Sequence, residues 1–128
     1  MEQQQLNYEE WFFQSDYDLE TAFYMLQSGR NIYCLFMCHL SLEKALKGLF
    51  IKRTNQFPPR LHDLMYFVEH LELEPDDIHT DFLIWLNRMG ISTRYPEDLR
   101  NLISLYTKEQ TTGIYRQTET VQQWIKQQ

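Results

Sequence analysis

The stretch from Ile32 to Ile51 constrains the fold of this chain more than any other part of the sequence. It reads IYCLFMCHLSLEKALKGLFI, almost wholly apolar in its first half and charged in its second. Because such an apolar helix has no side that can face water, we expect it to be buried in a bundle or at a dimer interface. Lys44 and Lys47 are three residues apart and lie on one face of this helix, and Glu43 has the four-residue spacing that pairs with Lys47.

Apolar periodicity and helix-boundary residues predict the remaining elements. The segments with these features are residues 7–28, about 31–53, a third helix from about 62, 75–90, and 107 to the last residues. Pro75 suits the first position of a helix, and Thr107 with Gln110 fits a capping box. Residues 91–106 are expected to form an irregular connection, with at most a turn of helix after Pro96. We therefore predict an all-α, up-and-down bundle of about five helices, forming one domain over residues 1–128.

Charge is distributed in blocks along the chain. The net charge of −6 argues against broad DNA binding. Residues 1–29 carry six carboxylates and no Lys or Arg, residues 30–62 carry six cations against Glu43 alone, and residues 63–81 carry seven carboxylates and no base. One interpretation is self-complementarity within a bundle or dimer. The other is a basic face that binds phosphate or a partner.

Cys34 and Cys38 lie one helical turn apart, with His39 beside them. A metal site would need a further group of ligands, and none accompanies these three residues. We therefore predict two buried thiols in a reducing compartment, with no metal and no cofactor. The N-terminal residues lack the basic start and apolar run of a signal peptide, and the longest apolar run is too short to span a membrane. These features predict a cytoplasmic protein without a membrane segment.

Several short motifs, in this order along the chain, resemble those of the HEPN domain family of small helical-bundle proteins. They are Trp11 with Asp18-Leu19, the Glu-Lys-Ala-Leu-Lys run at 43–47, His62-Asp63-Leu64, Thr93-Arg94-Tyr95-Pro96, and Tyr106-Thr107. The resemblance implies a homodimer, often paired with a minimal nucleotidyltransferase in toxin–antitoxin and defence modules. It also suggests metal-independent ribonuclease activity. In some members this activity uses an Arg, a polar neighbour and a His four to six residues further on.

The ribonuclease spacing is absent from this sequence. Arg30 precedes His39, and Arg53 precedes His62, with eight residues between the members of each pair. We therefore expect a non-catalytic or partner-dependent HEPN protein that binds a nucleotide, RNA or a nucleotidyltransferase. One alternative is an endoribonuclease with a degenerate site, in which Arg94 or Arg30 clamps phosphate and His62 or His39 acts as acid or base. Another is a purely structural dimerisation module.

Five residues are the candidates for a nucleotide- or partner-binding site: Lys44, Lys47, His62, Arg94 and Tyr95. Arg94 lies in a turn before Pro96, where its guanidinium fork suits a phosphate or carboxylate, and Tyr95 suits stacking. His62 suits a phosphate ligand or general base if a carboxylate orients its ring. The structural alternatives are an ion pair for Arg94, packing of Tyr95, solvated lysines, and a capping or interhelical hydrogen bond for His62.

Overall fold

Six helices make up the part of the chain that the structure describes. The structure is a computed structural model and describes residues 7–92 and 95–128, except for the side chains of Pro96 and Asp98. The helices are α1 (Tyr8–Gln27), α2 (Asn31–Thr54), α3 (Leu64–His70), α4 (Asp77–Ser92), α5 (Pro96–Ile103) and α6 (Lys108–Lys126). These residues contain no strand. The predicted all-α bundle is confirmed, with six helices in place of about five.

Helix α2 is the centre of the bundle, and the other helices pack around it. Fifteen of its 24 residues are buried. Helix α1 runs antiparallel beside it, held by reciprocal hydrogen bonds: the Ser15 hydroxyl donates to the Ser41 carbonyl at 2.7 Å, and the Ser41 hydroxyl donates to the Ser15 carbonyl at 2.8 Å. Buried leucines and aromatic side chains from α2, α3 and α4 form one core with Val121 and Ile125 of α6.

Burial along α2 differs from the expectation drawn from its apolar first half. Tyr33 is 48% exposed, and Met37 and Leu40 are only partly buried. The charged second half is the better buried part, because ten of the fifteen buried residues of α2 lie between Ser41 and Ile51. Glu43 and Lys47 are therefore buried residues, although their spacing in the sequence is also typical of an exposed helix surface.

Helix α5 corrects the prediction of an irregular connection over residues 91–106. It begins at Pro96 and lasts eight residues, too few for a helical period to be evident in the sequence. Leu99 and Leu102 pack against Ile32, Leu35 and Met89, so a small apolar cluster stabilises α5 on the first turns of α2. A short amphipathic helix of this kind depends on tertiary packing rather than on its own propensity.

Gly90 packs against α2 instead of ending α4, which continues to Ser92. A Cβ atom on Gly90 would lie 2.2 Å from Cδ2 of the buried His39 ring, far inside van der Waals contact. The missing side chain therefore permits close approach of α4 and α2 at this level. The expected helix stop is wrong by two residues, because the glycine is required for packing.

Both cysteines are buried and carry free thiols, as predicted from their apolar surroundings. A hydrogen bond with Cys34 and burial raise the pKa of Cys38 well above its ordinary value. Residues 7–92 and 95–128 contain no group of three or more His, Cys, Asp or Glu side chains arranged to hold a metal ion. In the same residues, no helix is long and apolar enough to cross a membrane.

Candidate functional site

The carboxylate of Glu43 is the centre of a polar cluster in the second half of α2. Lys47 Nζ donates to its Oε2 atom at 3.1 Å, and His62 Nδ1 lies 3.0 Å from its Oε1 atom. His39 Nδ1 lies 3.9 Å from the same Oε1 atom. The Glu43 side chain is 5% exposed, whereas the His62 side chain is 57% exposed. A buried carboxylate thus fixes a ring that solvent and ligands can reach.

The start of α3 determines where His62 sits. Asp63 caps this helix by accepting a hydrogen bond from the Met65 amide at 3.0 Å. Asn87 of α4 then bridges the same turn, donating to the Asp63 carboxylate and accepting from the Leu64 amide, both at 2.9 Å. Because two helices hold the residue that follows His62, the ring approaches Glu43 from a constrained backbone.

A cavity of about 470 Å³ opens beside Lys47. Its lining residues come from α1, α2 and the loop before α3, and they are Trp11, Lys47, Phe57, Pro58, Pro59 and Arg60. Its walls are therefore aromatic and prolyl, and the lining side chains among residues 7–92 and 95–128 include two cations and no carboxylate. Its volume lies within the range of small-molecule sites, about 300–1,000 Å³.

The structure brings Lys47 and His62 together on Glu43 and separates them from Lys44. Lys44 Nζ pairs with Asp18 of α1 at 2.8 Å, and both side chains are largely buried. The interpretation of the two lysines as solvated surface cations is therefore wrong. The hydrogen bond expected for His62 under the structural alternative is present, and its partner is Glu43 of α2 rather than the adjacent Asp63.

Tyr95 lies at another level of the bundle. It precedes α5, which packs on Ile32 and Leu35, twelve or more residues before Lys47 and hence about 18 Å or more away along the axis of α2. The Tyr95 side chain is 51% exposed, so it is not packed into the core. Arg94 lies outside the described residues, and its site assignment stays a prediction. His39 is fully buried, so in this conformation a ligand cannot reach its ring, and an Arg30–His39 pair cannot act on it.

Most cations of the basic segment 30–62 are engaged within the protein. Besides the two ion-paired lysines, Lys52 lies over the Tyr8 ring at 5.4 Å, and Arg53 donates to the carbonyls of Leu71 and Gln128. Within the described part of the chain, Arg30 and Arg60 make no ion pair. Arg60 therefore lines the cavity without an ion-pair partner among the described residues. It was not among the five site candidates predicted from the sequence.

One feature of the sequence indicates this cluster, although Glu43 was not among the predicted site residues. Glu43 is the sole carboxylate among the six cations of residues 30–62, which marks it as a shared partner. Trp11 and Arg60 had no comparable signal, because their proximity to Lys47 arises only from the packing of α1 and from the path of the loop at 55–63.

Comparison with known proteins agrees with this architecture. The family model described as HEPN domain matches residues 8–128, nearly the whole chain. The chain therefore belongs to the HEPN domain family, and the resemblance found in the sequence is confirmed. No curated protein matches the sequence closely enough to count as a relative. Among solved structures, the crystal structure of TT1696 from Thermus thermophilus is similar in fold, with a TM-score of 0.75 at 21% identity, covering 95% of this chain and 98% of that one.

Proposed function

We propose that this HEPN protein is a binding member of its family that recognises a phosphate-bearing ligand, a nucleotide or RNA, through His62 and Arg60. The observation that carries the proposal is the hydrogen bond between the exposed His62 ring and the buried Glu43 carboxylate. A carboxylate that holds one ring nitrogen fixes the orientation of the other, and a protonated ring then donates to a phosphate oxygen. Arg60, two residues earlier, adds a guanidinium fork of the kind that suits phosphate.

Lys47 has a different role in this proposal. Its ammonium group is buried on Glu43, so the pair is neutral as a unit and contributes little net attraction for an anion. Lys47 instead keeps the carboxylate in place while His62 remains on the surface. Lys44 is likewise neutralised, in its case by Asp18, and this ion pair joins α2 to α1. Tyr95 lies on a separate face, which we assign to a partner protein, while the role of Arg94, outside the described residues, stays a prediction.

The wider role follows from the family and from exposed apolar side chains. We propose that the chain forms a homodimer and acts in the cytoplasm beside a cognate nucleotidyltransferase, in a toxin–antitoxin or defence-type module. Phe13, Tyr17 and Tyr24 are exposed and fall on one face of α1 at spacings of four and seven. Large exposed aromatic side chains in such a row favour a protein interface.

Binding is tested with charge reversal at Arg60. We expect wild-type protein to bind a short single-stranded RNA, and Arg60→Glu to lose at least about tenfold in affinity because one phosphate contact becomes repulsive. Arg116→Glu is the matched control, since Arg116 is an exposed arginine on α6 outside the cavity. Equal affinity of both variants with wild type would refute the site. Failure of the wild-type protein to bind nucleotides or RNA would favour a purely structural module.

The dimer is tested by sedimentation equilibrium. We expect wild-type protein to sediment as a dimer and Tyr17→Glu to sediment as a monomer, because a carboxylate in an apolar interface is desolvated without a partner. Ile103→Glu places the same charge on an equally exposed apolar position of α5 and should leave the dimer intact. A monomeric wild-type protein would remove the homodimer from the proposal.

The endoribonuclease alternative has one observation in its favour, the carboxylate-oriented imidazole of His62, which is an arrangement used in general acid–base catalysis. The sequence lacks the spacing of Arg and His that the resemblance associates with this activity. We therefore rank ligand binding ahead of catalysis for this site.

A further inference from the structure

The loop between α2 and α3 presents a large aromatic ring to solvent beside the cavity. Phe57 is 74% exposed, although burial of a phenylalanine side chain is strongly favourable. Pro58 and Pro59 follow it directly, and the fixed φ angles of proline reduce the conformations open to this part of the loop. Because this part of the loop is already restricted, ligand binding at the cavity costs little further conformational entropy here.

Gly48 determines the position of the opposite wall. A Cβ atom on Gly48 would lie 2.7 Å from the Phe12 ring and 3.2 Å from the Cβ atom of Trp11. Helix α1 therefore approaches α2 closely at this point, and Trp11 lies next to Lys47 at the edge of the cavity. Two aromatic side chains from separate elements, Trp11 and Phe57, thus line one pocket.

The charges around the pocket limit the ligand that fits. Lys47 is neutralised by Glu43, and no carboxylate of the described residues lines the cavity. In the described chain, Arg60 remains as the cavity's cation without an ion pair. A ligand that matches these walls has a flat aromatic part for Trp11 and Phe57 and one compact anionic group for Arg60.

We propose that this pocket binds one nucleoside monophosphate unit, with its base stacked on Trp11 or Phe57 and its phosphate paired with Arg60. The unit is either a free nucleotide or the terminal nucleotide of an RNA strand. This inference rests on the proposed function and deepens it, because it adds a base-binding pocket to the phosphate-binding surface at His62. Stacking on aromatic side chains tolerates any base, so we expect little discrimination among the four bases.

The test is a set of titrations with AMP, adenosine, inorganic phosphate and an RNA pentamer with or without a 5′-phosphate. We expect AMP to bind more tightly than adenosine or phosphate and to quench Trp11 fluorescence, with the quenching absent in Trp11→Phe. Phe57→Ala should weaken AMP about tenfold, as expected for loss of one stacking contact. Leu105→Ala removes a similarly exposed apolar side chain elsewhere and should bind AMP as wild type does. The exposure of Phe57 makes a folding defect in Phe57→Ala unexpected, and circular dichroism checks it.

Three results would overturn the pocket, and they are distinguishable. If Phe57→Ala binds AMP as wild type does and AMP does not quench Trp11, or if phosphate binds as tightly as AMP, the base-binding inference fails. The proposed phosphate surface still stands in that case if Arg60→Glu abolishes binding. If neither AMP nor the pentamer binds at all, both proposals fail. Preference for the 5′-phosphorylated pentamer over AMP supports the pocket and identifies an RNA end as its source.

Discussion

Nδ1 of His62 lies 3.0 Å from Oε1 of Glu43, and this contact joins a mostly exposed ring to a carboxylate that is 5% exposed in the central helix. The second oxygen of Glu43 is held by Lys47. One buried carboxylate therefore serves the fold through Lys47 and the candidate binding surface through His62. Substitutions at Glu43 should affect stability and binding together, whereas substitutions at His62 should affect binding alone.

Glu43→Ala is expected to lower the free energy of unfolding by about 3–5 kcal/mol, because it leaves the buried Lys47 ammonium without its counter-charge. Urea denaturation measures this difference. Glu20→Ala removes an exposed carboxylate of α1 and should change the free energy by less than about 0.5 kcal/mol. Equal effects of the two substitutions would show that the Glu43–Lys47 pair does not stabilise the fold.

Replacing two glycines by alanine is expected to change stability in opposite directions. Gly90→Ala should destabilise the protein by about 1–3 kcal/mol or more, because the new Cβ collides with the His39 ring. Gly113→Ala meets no atom within 4 Å and lies inside α6, so it should stabilise by up to about 1 kcal/mol. Thermal unfolding of both variants checks the signs.

A double-mutant cycle tests the origin of the Gly90 effect. In a His39→Ala background the ring is absent, so Gly90→Ala should cost clearly less than it does in the wild-type protein. If Gly90→Ala lowers stability equally in both backgrounds, the new Cβ atom does not collide with the His39 ring.

The pKa of the Cys38 thiol predicts how stability depends on pH. Its hydrogen bond with Cys34 and its burial raise this pKa in the folded state, so the folded protein keeps the proton where the unfolded chain loses it. Stability from this group is complete below the thiol's ordinary pKa of about 8.5 and declines as pH rises above it, by at most about 1.4 kcal/mol per pH unit. Urea unfolding between about pH 8 and 9.5, which brackets that ordinary value, should show a smaller decline in Cys38→Ala. The same decline in both proteins would assign the effect to other groups.

The absence of the Arg–His spacing predicts that the purified protein does not cleave a mixed RNA pool without added metal. Arg94→Ala provides the control, since Arg94 is the leading candidate for a phosphate clamp in the catalytic alternative. Cleavage by wild type that disappears in Arg94→Ala would establish a ribonuclease site without the expected spacing.

The sequence predicted those features that local chemistry determines. The helix start at Thr107 follows from capping chemistry, and the structure has the predicted capping box. Helix α5 was missed because eight residues show too little periodicity, and its stability comes from packing on Ile32 and Leu35. The Glu43–Lys47 spacing was visible, but the sequence contains no indication of whether such a pair is exposed or buried.

The candidate site was only partly predictable for the same reason. The sequence suggested a hydrogen bond for His62, and the structure has one with Glu43, but this partner could not be named because it depends on where the loop at 55–63 returns to α2. The assignment of His62 to a binding site stays a prediction. The cavity joins Trp11 of α1 to Phe57 and Arg60 of the loop that follows α2, and no local sequence pattern predicts that these residues lie close together in space.

The measurement that tests the central claim most directly is the NMR signal of the His62 imidazole during titration with AMP or with a 5′-phosphorylated RNA pentamer. We predict a saturable shift of the His62 ring signals, with His70, an exposed histidine on α3, as the internal control that does not shift. The shift should be lost in Arg60→Glu. Saturable binding without any change at His62, or equal shifts at His62 and His70, would contradict the assignment of the Glu43–His62 cluster as the ligand site.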